Sequence, residues 1–280
     1  MDTAFIDDIA LEYEVSGTGE PVFFIHGALI ADSFRPLLTE PVLAHRYKLI
    51  TYHRRGYMGS SRITAPVSIA QMAADCGALL HYLGVHRAHI VGESLGGCIA
   101  IQLALDYPNI VHSLGLLEPA LIVGSNGPAY RDSLLHGQQR FSEGPAEQVV
   151  DEFLQARSGE DYRTYLDQKI PGAFKQAVAD AATPFEMELP GLLDWSFDEE
   201  KALRITQPTL AVLGGGSNAL WPRFGETHRM LLDWLPHVQG FILPDATHFL
   251  HIQNPGGMAK ALVDFFVQHP IRAPRVALST

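Results

Sequence analysis

A serine in a glycine-rich segment of the chain could perform nucleophilic chemistry. Residues 91–97 read Val-Gly-Glu-Ser-Leu-Gly-Gly, so a glycine lies two positions before and two positions after Ser94. An apolar, strand-like run precedes this segment and a helical pattern follows it, which places Ser94 at a strand-to-helix turn. Glycines let the strand and the helix approach closely, and the helix N-terminus directs free N–H groups toward a reacting carbonyl. We predict that Ser94 is the nucleophile of an acyl-transfer reaction.

His248 is the predicted general base that would activate this serine. A serine hydroxyl is a poor nucleophile at neutral pH and needs an adjacent base, for which histidine is suited because its pKa lies near 7. The chain has 13 histidines. His248 is favoured because it follows the last predicted strand and precedes the last predicted helix. His251, three residues further on, is the nearest rival, and we interpret it as structural.

The composition argues against several other classes of protein. The 280 residues carry a formal net charge of −11, whereas a nucleic-acid-binding protein is expected to present a basic patch. The same charge argues against binding to an anionic membrane surface. The sequence contains no run of 18 apolar residues, so we expect no transmembrane helix. The N-terminus lacks the basic and apolar regions of a secretory signal. We expect a cytoplasmic protein without a disulfide framework, since its two cysteines fall in apolar helical patterns.

Strand-like and helix-like segments alternate along most of the chain. Helical patterns cover 68–83, 95–107 and 254–268. The alternation predicts a mostly parallel sheet with helices on both faces. Most of the strand-like segments are short apolar runs, as expected of buried parallel strands. These segments are 9–15, 22–25, 48–52, 88–91, 112–117, 209–213 and 239–243.

The alternation breaks in the region 120–206, where few strand-like runs occur. Helix-like segments at 146–157 and 173–182 are separated by breaks that contain glycine and proline. We interpret 120–206 as an inserted helical subdomain and expect 1–119 and 207–280 to form the core.

The end of the chain is expected to be partly disordered, because the tail at 270–280 lacks hydrophobic periodicity.

Several of these motifs resemble those of the α/β-hydrolase fold superfamily, and the resemblance covers nearly the whole chain. The pair His26-Gly27 matches the oxyanion-loop position of that family, and the loop at 244–250 matches the loop of its catalytic histidine. Residues 54–60 resemble the family's loop after the next strand, although His53 stands where that loop usually begins with Asp. The resemblance implies an α/β-hydrolase fold, a mostly parallel sheet flanked by helices, with the helical insertion as a cap.

Two backbone N–H groups are the predicted oxyanion hole. The oxyanion that forms when a serine attacks a carbonyl needs preorganised hydrogen-bond donors. The N–H of Leu95, directly after the nucleophile, is one predicted donor. The N–H of Ala28, directly after His26-Gly27, is the other.

The acid that would orient His248 is absent from its usual place. Most members of the superfamily carry an Asp shortly after the strand at 209–213, but this sequence continues Gly-Gly-Gly-Ser-Asn, with Ser217 or Asn218 in that place. An asparagine could orient a histidine but could not balance the charge of its protonated form.

Glu118 is the predicted substitute for that acid. It ends an apolar strand, where a buried carboxylate is costly without a partner, and strand ends at this edge line the crevice of an open α/β sheet. This arrangement resembles that of one subgroup of haloalkane dehalogenases and of the fungal zearalenone lactonases, which carry a Glu at this position. Asp245 is the second choice and Glu226 a distant third, and the acid could also be missing altogether.

Glu93, the residue between Gly92 and Ser94, receives a structural interpretation. We expect its side chain to point away from the reacting carbonyl and to anchor a neighbouring loop.

The predicted substrate is a small molecule with an apolar acyl or alcohol group, joined as a carboxylic ester or lactone. Aromatic and aliphatic residues are frequent in the helical insertion, and Leu29, Trp195 and Trp221 are the predicted substrate-binding residues. A serine nucleophile excludes the dehalogenase and epoxide-hydrolase reactions of this fold, which use an Asp. We expect no metal and no cofactor, since no ligand spacing such as HExxH occurs. A homodimer is possible.

Other activities are compatible with the same motifs. The triad could cleave C–C bonds, or serve cofactor-free oxygenation or lyase chemistry. A slowly hydrolysing receptor that binds a ligand is a second alternative. A non-catalytic relative, in which the glycine-rich turn is only structural, is a third, and the missing Asp after 213 would favour it.

Overall fold

The computed structural model describes residues 1–271, so the tail predicted to be partly disordered lies outside the described residues except for its first two positions. Within that range eight strands form one sheet in the order β1-β2-β4-β3-β5-β6-β7-β8. β1 and β2 are antiparallel to their neighbours, and the remaining pairs are parallel. The strands are β1 (Asp2–Ile6), β2 (Ile9–Ser16), β3 (Glu20–Ile25), β4 (Tyr47–Tyr52), β5 (Ala88–Glu93), β6 (Val111–Leu117), β7 (Thr209–Gly214) and β8 (Val238–Leu243).

Helices cover both faces of this sheet. The α-helices are α1 (Arg35–Leu38), α2 (Pro41–Ala44), α3 (Ile69–Tyr82), α4 (Leu95–Asp106), α5 (Gly127–Glu143), α6 (Ala146–Ser158), α7 (Tyr162–Lys169), α8 (Ala173–Ala179), α9 (Leu189–Asp194), α10 (Glu199–Leu203), α11 (Ser217–Leu220), α12 (Arg223–Trp234), α13 (Leu250–Gln253) and α14 (Pro255–Gln268). A π-helix at Thr183–Glu188 runs directly into α9.

The side chains of β3 show how the sheet divides the core. Phe23 and Ile25 pack in one buried cluster with residues of α3 and α4. Val22 and Phe24, on the opposite face, pack in a second cluster with residues of α14. Alternation along a fully buried strand places successive side chains on opposite faces, and each side chain of this size stabilises the fold by about 1.5–3 kcal/mol. The predicted α/β class and the mostly parallel sheet are confirmed.

The sequence reading missed β1. This strand pairs antiparallel with β2 at the edge of the sheet, and Ala4 is its only buried residue. An edge strand with one buried side chain lacks the apolar run that identifies the central strands.

The region between β6 and β7 is helical, and all of it is described. It contains α5 to α10 and the π-helix, but no strand. The predicted helix at 146–157 matches α6, whereas the one predicted at 173–182 ends at Ala179. A third buried cluster joins this region to the rest of the molecule, since it includes Leu29 after β3 and Phe249 after β8. None of the helices within 1–271 combines the length and the apolar character needed to cross a membrane.

Candidate active site

Ser94 occupies a strained turn between β5 and α4. Its backbone angles are φ 52° and ψ −117°, outside the regions that L-residues prefer. Two glycines are required for this turn. A Cβ at Gly96 would lie 2.0 Å from the carbonyl oxygen of Ile25, and one at Gly92 would lie 2.3 Å from the carbonyl oxygen of Gly96. The close contacts are with backbone atoms, which cannot move aside, so the glycines allow the sharp change of direction that presents Ser94.

Two consecutive hydrogen-bond contacts connect Ser94 to His248 and His248 to Glu118. The Ser94 Oγ is 3.1 Å from Nε2 of His248, and the other ring nitrogen of His248, Nδ1, is 2.7 Å from Oε2 of Glu118. The three residues follow the carboxyl ends of different strands, since Ser94 follows β5, Glu118 follows β6 and His248 lies between β8 and α13. These distances are those expected of the predicted nucleophile, base and orienting acid.

Glu118 is held by a second hydrogen bond from the neighbouring strand. Its Oε1 accepts from the backbone N–H of Gly214 at the end of β7, at 2.7 Å. The side chain is buried, and φ of 43° places its backbone in the left-handed region. Both carboxylate oxygens of Glu118 thus form hydrogen bonds. The carboxylate that contacts His248 comes from the end of β6, whereas no carboxylate follows β7 at the position usual for the family.

The two other carboxylates that the sequence proposed lie elsewhere. Asp245 is exposed and forms no hydrogen bond with His248. Glu226 accepts hydrogen bonds from the backbone N–H groups of Ser125 and Asn126, at 2.7 and 2.9 Å. The structure therefore offers Glu118 as the partner of His248 and gives Glu226 a loop-anchoring position.

His248 is electrostatically suited to accept a proton. Burial lowers the pKa of His248, while its hydrogen bond with Glu118 and the charge of Glu118 raise it. The positive charges of Arg223 and Arg157 add to the lowering. The net shift is downward, so the imidazole is neutral at pH 7 and Nε2 can take the Ser94 proton.

Glu93 lies closer to these groups than the sequence predicts. Its buried carboxyl oxygen Oε1 is 3.4 Å from Nε2 of His248, the nitrogen that faces Ser94. Burial and the nearby charge of Glu118 raise the pKa of Glu93 to about 8. At neutral pH a mostly protonated Glu93 carboxyl therefore lies beside His248, outside the cavity lining, and it also packs against Gly27 of the oxyanion loop.

The two predicted oxyanion donors lie beside the nucleophile. Ala28 and Leu95 line the same cavity as Ser94. Leu95 is the first residue of α4, where backbone N–H groups have no carbonyl partner one turn earlier. Arg54 stabilises the loop that carries Ala28, because its guanidinium donates to the carbonyl oxygens of His26 and Gly27 at 3.2 and 2.8 Å.

His53 stands where the family usually has an Asp. It lies directly after β4 and contacts two acidic residues. Its Nδ1 is 2.9 Å from Oε2 of Glu12 on β2, and its Nε2 is 3.2 Å from Oδ1 of Asp32. Burial lowers the pKa of His53, but these two hydrogen bonds outweigh burial and raise it. His53 therefore links the end of β4 to β2 and to the segment after β3, and it lies outside the cavity of Ser94.

A cavity opens over Ser94. The core contributes Ser94 and its neighbours Ala28 and Leu95, and the region between β6 and β7 contributes the other lining residues. Most of these are apolar, as is common in small-molecule sites. The lining residues are Ala28, Ser94, Leu95, Ala120, Tyr130, Leu134, Phe153, Arg157, Pro184, Phe185, Glu188, Leu189 and Leu192.

The three predicted substrate-binding residues do not line this cavity. Leu29 is buried in the cluster between the helical region and the core. Trp195 donates from Nε1 to Gln102 at 2.7 Å, while its ring stacks on another aromatic side chain. Trp221 packs edge-on against Tyr130, which itself lines the cavity. These predictions followed residue type, whereas packing between helices decides which aromatic residues face the site.

Two charged residues of the cavity were missed by the sequence reading. Arg157 ends an amphipathic helix pattern, which is typical of a solvated position, and Glu188 lies in a segment without clear periodicity. Both are buried in the structure. Within 1–271, no group of three or more His, Cys, Asp or Glu side chains is arranged to hold a metal ion.

The chain matches known proteins over most of its length. The sequence profile of the family described as alpha/beta hydrolase fold matches residues 20–255. A putative carbamate hydrolase of Variovorax paradoxus is 36% identical over 95% of this chain and 98% of that protein. The dihydrolipoyllysine-residue acetyltransferase component of the acetoin cleaving system of Cupriavidus necator is 30% identical over 78% of this chain, which spans 58% of that protein.

Solved structures show the same fold at lower sequence identity. A thermophilic esterase from Thermogutta terrifontis is 21% identical and superimposes with a TM-score of 0.82, covering 96% of this chain and 100% of that one. The chain belongs to the α/β-hydrolase fold family. The family profile and the names of its relatives support a hydrolase.

Proposed function

We propose that this protein is a serine hydrolase that cleaves a carboxylic ester or a lactone through an acyl-enzyme on Ser94. His248 is the general base in this proposal and Glu118 the orienting acid. The observation that carries the proposal is the continuous set of contacts from Ser94 Oγ to His248 at 3.1 Å and from His248 to Glu118 at 2.7 Å. Each contact lies at the distance that proton transfer and histidine orientation require.

The reaction follows from this geometry. Ser94 Oγ attacks the acyl carbon while Nε2 of His248 takes its proton, and the negative charge on Glu118 stabilises the imidazolium that forms. The N–H groups of Ala28 and Leu95 hold the oxyanion, a contribution worth about 100- to 1000-fold in kcat for each donor. His248 then protonates the leaving alcohol. A water molecule, deprotonated by His248, attacks the acyl group and releases the acid.

We further propose that residues 120–206 act as a cap over the catalytic core of 1–119 and 207–280. The proposal is supported by the cavity, to which α5, α6, the π-helix and α9 contribute side chains directly above Ser94. The cap would restrict water and select substrates, as lids do in other enzymes. The names of relatives and structural neighbours, which include a carbamate hydrolase and an esterase, agree with acyl-transfer chemistry.

Covalent labelling tests the proposed nucleophile. A fluorophosphonate probe is expected to label the wild-type protein at Ser94, as located by peptide mass mapping, and to leave Ser94→Ala unlabelled. A panel of 4-nitrophenyl esters and γ- and δ-lactones then tests turnover, which Ser94→Ala should abolish. Labelling without turnover of any ester or lactone would instead favour a slowly hydrolysing receptor. Absence of labelling would refute an activated serine.

A further inference from the structure

Among the described residues, two buried guanidinium groups near the candidate triad have no anionic partner. Arg157 is 6% exposed and Arg223 is 2% exposed. Nη2 of Arg157 and all three side-chain nitrogens of Arg223 lack a hydrogen-bond partner within residues 1–271. Arg54, the other buried arginine, differs in this respect because it pairs with Glu188, and the partly buried Arg55 pairs with Asp75.

Arg157 is the cation that faces the cavity. It lines the cavity together with Ser94, and its Nη1 donates to the carbonyl oxygen of Phe153 at 3.0 Å. The guanidinium carbon lies 3.4 Å from the centre of the Phe153 ring. Within residues 1–271, Nη2 of Arg157 forms no hydrogen bond, although the nearby Tyr130 side chain favours the charged form of the guanidinium.

Arg223 lies directly behind the cavity wall. Its guanidinium carbon is 3.7 Å from the centre of the Tyr130 ring and 4.4 Å from that of Phe224. Tyr130 lines the cavity, so this second positive charge packs against a residue of the cavity wall. Aromatic faces attract a cation, but they do not satisfy its N–H donors.

The negative groups nearby are already engaged or neutral. Glu188 also lines the cavity, but it is bound to Arg54 and accepts a hydrogen bond from Tyr57. Both oxygens of Glu118 accept hydrogen bonds from other groups. Glu93 has its pKa raised to about 8 and is mostly protonated at pH 7. These carboxyl groups therefore leave the positive charge over Ser94 uncompensated.

Burial alone makes this arrangement unfavourable for the free protein. Burial lowers the pKa of Arg157 to about 10, an effect that Tyr130 opposes and the charge of Arg223 increases. Arg157 is nonetheless charged at pH 7. An unpaired buried charge is costly, and removing it from water is compensated only by a partner of opposite charge with good geometry. A ligand anion in the cavity would supply that partner.

We propose that the substrate carries a carboxylate of its own, which Arg157 binds in the cavity while Arg223 adds a second positive charge behind Tyr130. The inference rests on the proposed hydrolysis at Ser94 and specifies its substrate class. Guanidinium and carboxylate groups match in shape and form charge-assisted hydrogen bonds. The cleaved bond would thus belong to a small ester or lactone with an anionic end, in place of the wholly apolar group that the sequence suggested.

Paired esters that differ only in this charge test the inference. In the first series, the mono-4-nitrophenyl esters of glutaric and adipic acid are compared with esters in which an isopropyl group replaces the free carboxylate. In the second, the carboxylate lies on the leaving group, and 4-butyryloxybenzoate is compared with 4-isopropylphenyl butyrate. We expect wild type to prefer the anionic member at least tenfold in kcat/KM in one series.

Variants of Arg157 assign the preference to one side chain. Arg157→Met should reduce the preference below twofold, and Arg157→Lys should restore part of it. Arg140→Met, which removes an exposed guanidinium of α5, is the matched control and should keep the full preference. Far-UV circular dichroism and thermal unfolding show whether each variant is folded. Absence of a charge preference in wild type in both series, or its persistence in Arg157→Met, would overturn the inference.

A binding measurement separates this inference from the proposed function. Calorimetric titration of wild type and Ser94→Ala with glutarate, adipate and 4-hydroxybenzoate is expected to show binding that Arg157→Met loses. Such binding without turnover of any ester would support the anion site and refute the hydrolysis. Turnover of neutral and anionic esters at equal rates, with no carboxylate binding, would support the hydrolysis and refute the anion site.

Discussion

The carboxylate that contacts His248 is held by two different strands. Glu118 follows β6, accepts a hydrogen bond from Gly214 at the end of β7, and contacts Nδ1 of His248. A glutamine at this position keeps the size of the side chain but cannot balance the imidazolium charge. Position 118 is therefore where a single atom replacement should separate folding from catalysis.

We predict that Glu118→Gln reduces kcat by roughly a thousandfold or more, because an amide neither fixes the productive tautomer of His248 nor stabilises its charged form. Steady-state hydrolysis of the best ester measures the effect, and circular dichroism checks the fold. Asp245→Asn is the matched control, since Asp245 is exposed in the loop of His248 and should be dispensable. The opposite pattern, with Asp245→Asn inactive and Glu118→Gln active, would move the acid to Asp245.

We predict that Glu93→Gln changes the pH dependence of stability. Burial raises the pKa of Glu93 to about 8 in the folded protein, whereas an unfolded glutamate titrates near 4.3. Between these values the folded state holds a proton that the unfolded state has lost, so the stability of wild type falls as pH rises. Glutamine does not titrate, so the variant lacks this pH-dependent loss of stability. Its free energy of unfolding should rise by about 1 kcal/mol relative to wild type for each pH unit from 5 to 8.

Urea unfolding of both proteins at several pH values measures that difference. The gain should level off above pH 8, where the folded protein also ionises Glu93. A difference in stability that stays constant from pH 5 to 9 would show that the side chain titrates normally, and would contradict the burial argument.

At the scale of elements, the turn between β5 and α4 depends on glycines that touch backbone. We predict that Gly96→Ala destabilises the protein by about 2 kcal/mol or more and abolishes labelling of Ser94, since its Cβ would overlap the carbonyl of Ile25 at 2.0 Å. Chemical denaturation and fluorophosphonate labelling measure the two effects.

The matched control for this prediction is a glycine inside a helix. A Cβ at Gly77 in α3 would lie 3.6 Å from Tyr107, an ordinary contact. Gly77→Ala should therefore stabilise the protein by about 0.5–1 kcal/mol, because alanine has the higher helix propensity. Equal effects of the two substitutions would mean that the close approach of strand and helix is not what requires glycine at 96.

At the scale of the whole molecule, a buried ion pair joins the helical region to the core. Arg54 lies after β4 and Glu188 ends the π-helix, and each is 1% exposed in its side chain. The same guanidinium binds the carbonyls of His26 and Gly27 in the oxyanion loop. The pair therefore connects the helices above the cavity with the loop that carries Ala28.

We predict that Glu188→Gln lowers the free energy of unfolding by about 3–5 kcal/mol, since it leaves the Arg54 charge buried without a partner. Guanidinium chloride titration measures the loss. Asp264→Asn is the control, because the Lys260–Asp264 pair is exposed and surface pairs contribute at most about 1 kcal/mol. A loss as small as that of the control would show that solvent or another group compensates Arg54.

Local patterns in the sequence are enough to predict most of the strands and the turn that carries Ser94. The seven predicted strands are present, and the turn at Ser94 lies where its glycines and flanking patterns indicate. These features depend on neighbours along the chain, namely side-chain period, turn geometry and capping, and can therefore be read locally. Edge strand β1 escaped this reading because it buries a single side chain.

Which charged groups surround Ser94 follows from contacts between elements that are far apart in the sequence. The choice between Glu118, Asp245 and Glu226 depends on which strand ends are adjacent in the sheet, and local sequence does not specify that order. The sequence pattern favours a structural interpretation of Glu93 and does not single out Arg157, yet packing buries both near Ser94, where loss of water changes their electrostatics. Leu29, Trp195 and Trp221 lie outside the cavity lining for the same reason, because burial is decided between elements and not within them.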